Sequence, residues 1–397
     1  MRARRRVPRF GFDYVDGGAG ETEPGVARNA GALAAVEVVP RFGINNAPVS
    51  VEVELFGRRY AAPIGIAPMG LPGLMWPGGE GHFANAAQQA RIPFTLGSSA
   101  GAAIERMAEL APDVIWFQLY RLPRDDLAVN FDLARRADAA GVHVLVLTLD
   151  VPARTKRPRE LRNDLVIPYR PNLRTLIDVA TCPHWLLALL KAGQPGFANY
   201  PRYVGQNPKH SDVSAFVRRE VSGAFSWEEV ARFRELWPRA LVVKGILHPQ
   251  DAERAVSLGV DGIQVSNHGG RQLEAAPASI DVLPAIVAQV AGRATVLFDS
   301  GIRSGMDVIR AAALGAQSTL VGRAFMYGLG ALGPEGPGYV AEFFLEEIRA
   351  ALRQVGGRTL ADTRSLITRH PGALQFPGST QPVDTAQTSP IPRAASV

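Results

Sequence analysis

Eight short, apolar, β-branched-rich runs recur along the chain, at 63–68, 93–98, 114–120, 144–150, 240–246, 262–268, 294–299 and 318–323. Amphipathic, helix-like stretches separate most of them, for example 83–90, 127–140, 250–258 and 305–314. Strands this apolar are buried on both faces. Their alternation with helices implies parallel pairing through right-handed crossovers. Eight such units predict an α/β fold closed as a (β/α)8, or TIM, barrel over residues 63–370. Residues 1–62 precede it as an N-terminal segment packing on the barrel. The connection 151–226, after the fourth strand, is far longer than a barrel needs and reads as a loop or lid. The tail 371–397, rich in Pro, Ser, Thr and Gln, reads as disordered.

The net charge of +6 invites a nucleic-acid reading. The basic residues are scattered, however, apart from one cluster at Arg2–Arg6, and no aromatic-interleaved basic stripe or finger spacing occurs. A mildly basic surface that attracts small organic anions is the simpler account. Cys182 is the single cysteine, which leaves no disulfide framework. No His, Asp or Glu grouping has metal-ligand spacing, so no metal is expected. No apolar signal core follows the basic N-terminus. The densest apolar run, 185–190, is too short to span a bilayer. A cytoplasmic protein is the resulting expectation.

Barrel enzymes place their chemistry at the C-terminal ends of the strands. Here those ends carry Pro68-Met69-Gly70, Gln118-Leu119-Tyr120, Thr148-Leu149-Asp150, Lys244-Gly245, Ser266 to Arg271, Asp299 to Arg303 and Gly322-Arg323. Polar and titratable side chains therefore collect on one rim of an apolar barrel. At the last two strands, glycines let backbone N–H groups approach an anion, and Arg303 and Arg323 can bind a phosphate. Among seven histidines His268 is the acid/base candidate, since it ends a strand within a Gly-rich segment. Asp150 can orient its ring. His143 sits on the opposite, stability face, and His248 in a turn before a helix. Arg271 can hold a carboxylate beside the base, with Arg157 as a second clamp. Lys244, one of only four lysines, ends an apolar strand, where its charge needs a buried partner.

The segment Ser266-Asn267-His268-Gly269-Gly270-Arg271-Gln272 resembles the signature of the FMN-dependent 2-hydroxy acid oxidases and dehydrogenases. Phe12-Asp13-Tyr14, Ala67-Pro68-Met69-Gly70, Phe117-Gln118-Leu119-Tyr120, Leu147-Thr148-Leu149-Asp150, Val243-Lys244-Gly245, Asp299-Ser300-Gly301-Ile302-Arg303 and Gly322-Arg323 match as well, in the same order. The resemblance implies oxidation of an L-2-hydroxy acid to the 2-oxo acid. His268 would be the base, Asp150 its partner, Arg157 and Arg271 the carboxylate clamp, and Tyr14 and Tyr120 hydrogen-bond donors. FMN is the implied cofactor. Pro68, Met69 and Gly70 would lie near the reactive edge of its ring, and Gln118, Thr148, Lys244 and Ser266 along the ring and ribityl chain. Asp299, Ser300, Gly301, Arg303, Gly322 and Arg323 would hold the ribityl chain and phosphate, and a reduced, anionic flavin would suit Lys244.

Gly97 stands where the family has serine, so a flavin hydrogen bond is lost there or passes to Ser98. Ser99 replaces a bulky aromatic of short-chain oxidases, which implies a roomier pocket. Oxygen, a quinone or another carrier would reoxidise the flavin. A quinone-linked lactate or mandelate type would touch a membrane through 185–190, whereas a lid helix packed on the barrel is the blander reading of that run. A homotetramer or octamer is implied. Against this stand an FMN barrel isomerase, which would not need the His268, Arg271 and Arg157 trap, and a catalytically silent flavoprotein.

Overall fold

A computed structural model describes residues 2–43, 48–153, 155–163 and 172–376. Each of the eight apolar runs contains a strand: β1 (Ile64–Ile66), β2 (Phe94–Gly97), β3 (Ile115–Leu119), β4 (Val144–Thr148), β5 (Ala240–Ile246), β6 (Gly262–Val265), β7 (Thr295–Asp299) and β8 (Ser318–Val321). All pair in parallel with their sequence neighbours, and β8 closes on β1 through Thr319–Ile64 and Val321–Ile66, giving the expected (β/α)8 barrel. Several strands stop short of the apolar run because its last residues leave the ladder and line the rim. Outside lie the crossover helices, among them Gly79–Ala90, Arg124–Ala139, Pro249–Ser257, Ser279–Val290 and Gly305–Ala313. Strand side chains are buried towards both the barrel interior and the helices, which explains why the strand sequences run apolar without alternation.

The N-terminal end of the barrel is plugged by an antiparallel hairpin, Val53–Leu55 with Arg58–Tyr60. Its turn residue Phe56 presses on Gly262, where a Cβ would come within 2.8 Å of the ring. Trp116 Nε1 donates to Tyr60 Oη (3.1 Å), and His143 Nε2 bonds the Phe56 carbonyl at 2.7 Å. His143 is thus tied into the plug, and His248 caps the helix Pro249–Ser257 by accepting from Gln250 N. The lined cavity opens at the opposite rim.

The N-terminal helices cover part of that rim. Asn29, on the helix Pro24–Ala35, exchanges two side-chain hydrogen bonds with Asn267 (2.8 and 2.7 Å). The backbone approaches so closely that a Cβ on Gly270 would lie 2.6 Å from the Gly25 carbonyl carbon. A two-residue antiparallel pair, Glu37–Val38 with Thr368–Arg369, ties the two ends of the described chain together. Of the stretch 371–397 expected to be disordered, residues 377–397 lie outside the described residues.

The long fourth connection carries the helices Leu173–Ala180 and Pro183–Ala192, bent 103° to each other. The second has two faces. Trp185 is buried edge-on against Phe10 (5.7 Å) and donates to the Leu74 carbonyl, so this side packs on the body as a lid helix would. Leu187 and Leu190 point outward, together with Leu173, Leu176 and Ile177 of the preceding helix, all more than half exposed. Among the described residues no single helix is long and apolar enough to cross a membrane.

Candidate active site

The segment after β6 turns sharply. His268, Gly269 and Gly270 all have positive φ (59°, 67° and 73°), a costly choice for histidine that the surroundings enforce. Ser266 Oγ accepts from His268 N (3.0 Å), Ser300 Oγ from Gly269 N (2.9 Å), and the Asn267 side chain from Gly270 N (3.1 Å). This wrapping turns the imidazole into the cavity. Its Nδ1 lies 2.8 Å from Asp150 Oδ1 and its Nε2 3.3 Å from Tyr120 Oη. Burial pushes the His268 pKa below its ordinary value, and the Asp150 charge only partly opposes that. Burial alone would raise Asp150, but the charges of His268 and Lys244 and the hydrogen bonds from both hold it down at about 2. An ionised carboxylate only accepts, so Nδ1 carries the proton of the neutral ring and Nε2 offers a lone pair to the cavity. Burial, and secondarily the Asp150 charge, push Tyr120 up to about 12, which keeps its hydroxyl a donor.

Lys244, from β5, is buried beneath this pair. Its Nζ lies 2.9 Å from Ser266 Oγ, 3.4 Å from Asp150 Oδ2 and 3.7 Å from Asp299 Oδ2. Burial opposes its charge, yet the two carboxylates more than offset this and raise its pKa. The buried partners required of this lysine are therefore protein carboxylates.

At the β7–β8 end the cavity wall is formed by Ser300, Gly301, Arg303, Gly322 and Arg323. Gly301 is required by its φ of 106° and by Leu33, whose Cδ1 would lie 2.7 Å from an added Cβ. Arg323 is steered by the carbonyls of Val15, Gly17 and Gly269. Among the described residues neither Arg303 nor Arg323 has a carboxylate within ion-pair distance. Burial, then the charges of Arg271 and Arg303, bring Arg323 down to about 9. Two cations beside open glycine backbone, with no carboxylate in direct contact although Asp16 acts on both at longer range, are a donor set that suits a phosphate. The cavity encloses about 1040 Å³, a figure that includes the open space at its mouth.

At the other end, Arg157 and Arg271 face the same space as His268. Arg271 Nη1 donates to the carbonyls of Tyr14 and Gly17 (both 2.8 Å), and its guanidinium lies 5.3 Å from the centre of the Tyr14 ring. Arg157 Nε donates to the Arg271 carbonyl at 3.2 Å. Tyr14 Oη donates to the Gly70 carbonyl (3.1 Å).

Fifteen of the expected residues share this one cavity wall: Tyr14, Pro68, Met69, Gly70, Tyr120, Arg157, Lys244, His268, Arg271, Asp299, Ser300, Gly301, Arg303, Gly322 and Arg323. Asp150 and Ser266 lie outside the wall, holding His268 and Lys244. Gln118 and Thr148 are buried and joined by a 2.7 Å hydrogen bond. Ser98 is fully buried, its Oγ accepting from Tyr120 N at 3.3 Å, and Ser99 lines the cavity instead. A side chain at Gly97 would bring its Cβ within 3.3 Å of Gln118 Oε1, so glycine fits the tight spacing there.

Sequence reasoning overlooked Glu160, which contacts both Arg157 and Arg271, and the Tyr327 hydroxyl, which donates to Asp16 at 2.6 Å beside Arg303. The Glu160 signal was its spacing, three residues past Arg157 across a helix-starting proline.

Residues 3–369 match the family described as FMN-dependent dehydrogenase. The chain belongs to this family. Its curated relatives include an L-lactate dehydrogenase of Pseudomonas syringae pv. syringae, 40% identical over 355 residues that cover 89% of this chain and 92% of the relative. An L-lactate dehydrogenase of Pectobacterium atrosepticum is 39% identical, covering 91% and 93%. Among solved structures, that of the monotopic membrane protein (S)-mandelate dehydrogenase superposes with a TM-score of 0.87 at 34% identity, covering 92% of this chain and 96% of the other. Mandelate oxidase gives 0.78 at 36% identity, covering 94% and 97%. This family member is an FMN-dependent oxidoreductase that oxidises a 2-hydroxy acid of the lactate or mandelate type.

Proposed function

We propose that the chain oxidises L-2-hydroxy acids with His268 as the base. The observation that carries this reading is the Asp150–His268–Tyr120 chain, opening into a cavity whose far wall is the Arg157 and Arg271 pair. The substrate carboxylate docks between the two guanidinium groups, which fixes the carbinol beside His268 Nε2. Oxidation removes two electrons and two protons from that carbinol. His268 Nε2 holds one of the protons, and ionised Asp150 stabilises the imidazolium that results. The Tyr120 hydroxyl donates to the substrate oxygen, and Tyr14 fixes the Gly70 backbone and the Arg271 ring contact. Bound FMN supplies the two-electron acceptor. Pro68 to Gly70 and Lys244 would meet its ring, with Ser266 holding Lys244 from behind, and Asp299 to Arg303, Gly322 and Arg323 would surround its ribityl phosphate. The test is anaerobic bleaching of the flavin by one enantiomer of a 2-hydroxy acid.

Ser99 and Gly70 leave the cavity wall open where a substrate side chain would lie, which favours an aryl group as well as a methyl. In Ser99→Trp, kcat/KM for mandelate should fall at least about tenfold while that for lactate changes less than about threefold, since steric exclusion acts on the larger side chain. Equal losses on both substrates would refute this placement.

The outward leucines favour a lipid-soluble quinone as electron acceptor, reached from the cytoplasmic face of a membrane. Leu173 and Leu190 are 75% and 74% exposed, Arg174 and Lys191 flank them, and the basic helix Arg2–Arg6 lies against the helix Pro183–Ala192. Apolar side chains ringed by cations suit an anionic lipid interface. The protein should float with vesicles containing phosphatidylglycerol, and the double variant Leu187→Asp, Leu190→Asp should remain behind with unchanged turnover on a soluble dye. Wild-type protein that never floats would remove the membrane from this account.

A further inference from the structure

We infer that Glu160 is a positioning residue that draws the two carboxylate-binding arginines together from outside the cavity. Arg157 begins the short helix Pro158–Arg162, which places Glu160, three residues on, over the same face. A contact at that spacing is ordinary. The second contact is not local, because Arg271 comes from the loop after β6, 111 residues away in sequence. One oxygen, Glu160 Oε1, lies 2.8 Å from Arg157 Nη1 and 3.3 Å from Arg271 Nη2. Both arginines line the cavity, whereas Glu160 is not among the residues of its wall.

The pair needs such a partner. Arg271 and Arg157 are like charges in a buried setting; burial and then the Arg157 charge depress the Arg271 pKa. Left alone they would part, and a carboxylate spanning both would lose its two-sided grip. Glu160 supplies one shared negative charge. The helix that carries it is itself moored, since Arg159 pairs with Asp16 and Glu23 of the N-terminal segment. Simple charge counting predicts the opposite effect, because removing an anion from the neighbourhood should tighten binding of another. The direction of the change therefore separates positioning from mere screening.

This inference rests on the reading that Arg157 and Arg271 hold the substrate carboxylate. The test titrates the FMN-loaded enzyme with oxalate, a carboxylate that has no α-hydrogen to lose, followed by calorimetry. Wild type, Glu160→Gln, Glu160→Asp and Arg271→Lys are compared. Glu160→Gln is expected to weaken oxalate binding at least about tenfold and to raise KM in step, with kcat within about threefold. Glu160→Asp, which keeps the charge, should recover most of that loss. A neutral 2-hydroxy amide should bind wild type and Glu160→Gln alike, as a general collapse of the site would not allow. If Arg271→Lys weakens oxalate and Glu160→Gln leaves it unchanged or tighter, the inference fails and the clamp stands. If neither variant weakens it, the clamp reading itself fails and the inference falls with it.

Discussion

His268→Gln should slow flavin reduction by at least about 10²- to 10⁴-fold, the range that a positioned base contributes. FMN should stay bound, because Arg303 and Arg323, proposed to hold its phosphate, make no contact with the imidazole. Stopped-flow reduction under anaerobic conditions measures this, and a rate within tenfold of wild type would remove His268 from the reaction. The pH profile supplies a second check. Burial holds the His268 pKa below its ordinary value, so the neutral ring predominates at pH 7. kcat/KM should therefore be flat near neutrality and decline on the acid side, below the usual histidine range. Asp150 stays ionised down to about 2, so the acid limb belongs to His268 and not to its partner. A profile that declines with a midpoint above 7 would contradict this ordering.

Lys244→Met should lower the stability of the protein by about 3–5 kcal/mol, the usual cost of stripping one partner from a buried ion cluster. Methionine fills the volume but leaves Asp150 and Asp299 facing each other without a cation. Chemical denaturation near pH 7 reads the loss. Its sign with pH follows from linkage. In the wild type the depressed Asp150 pKa contributes stability that is present above the unfolded value near 3.8 and lost as pH falls through about 2. The variant forfeits much of that contribution, so its deficit should be largest above pH 4 and shrink on acidification. A deficit under about 1 kcal/mol would mean that the three charges are less coupled than their 3.4 and 3.7 Å separations imply.

The barrel was legible because strands buried on both faces must be apolar throughout, and eight such runs leave one simple closure. Their starts matched within one residue; at β1, β4, β6 and β8 the ends fell short, because residues such as Asp150 and His268 continue the run in sequence but leave the ladder to form the rim. The chemistry at strand ends was legible for the same topological reason. Side chains that act from outside the cavity wall were harder to read. Nothing local to Asn29 announces that it will clasp Asn267, 238 residues away. Glu160 meets Arg271 only because the loop after β6, 111 residues away, folds against its helix. The assignment of Ser98 to the cofactor shows the limit at finer scale. At a strand end, adjacent side chains diverge, and here Ser99 reaches the cavity while Ser98 is spent on the backbone N–H of Tyr120. The run 185–190 was read as either lid or membrane contact, and its helix has one face packed and one face exposed.

The most direct test is spectroscopic. Purified enzyme with bound FMN is kept free of oxygen and titrated with each enantiomer of lactate and of mandelate while the flavin absorbance is followed. The account predicts stoichiometric bleaching by the L enantiomer of at least one of them, with the 2-oxo acid formed in equal amount. Bound flavin that stays fully oxidised in the presence of all four acids would contradict it.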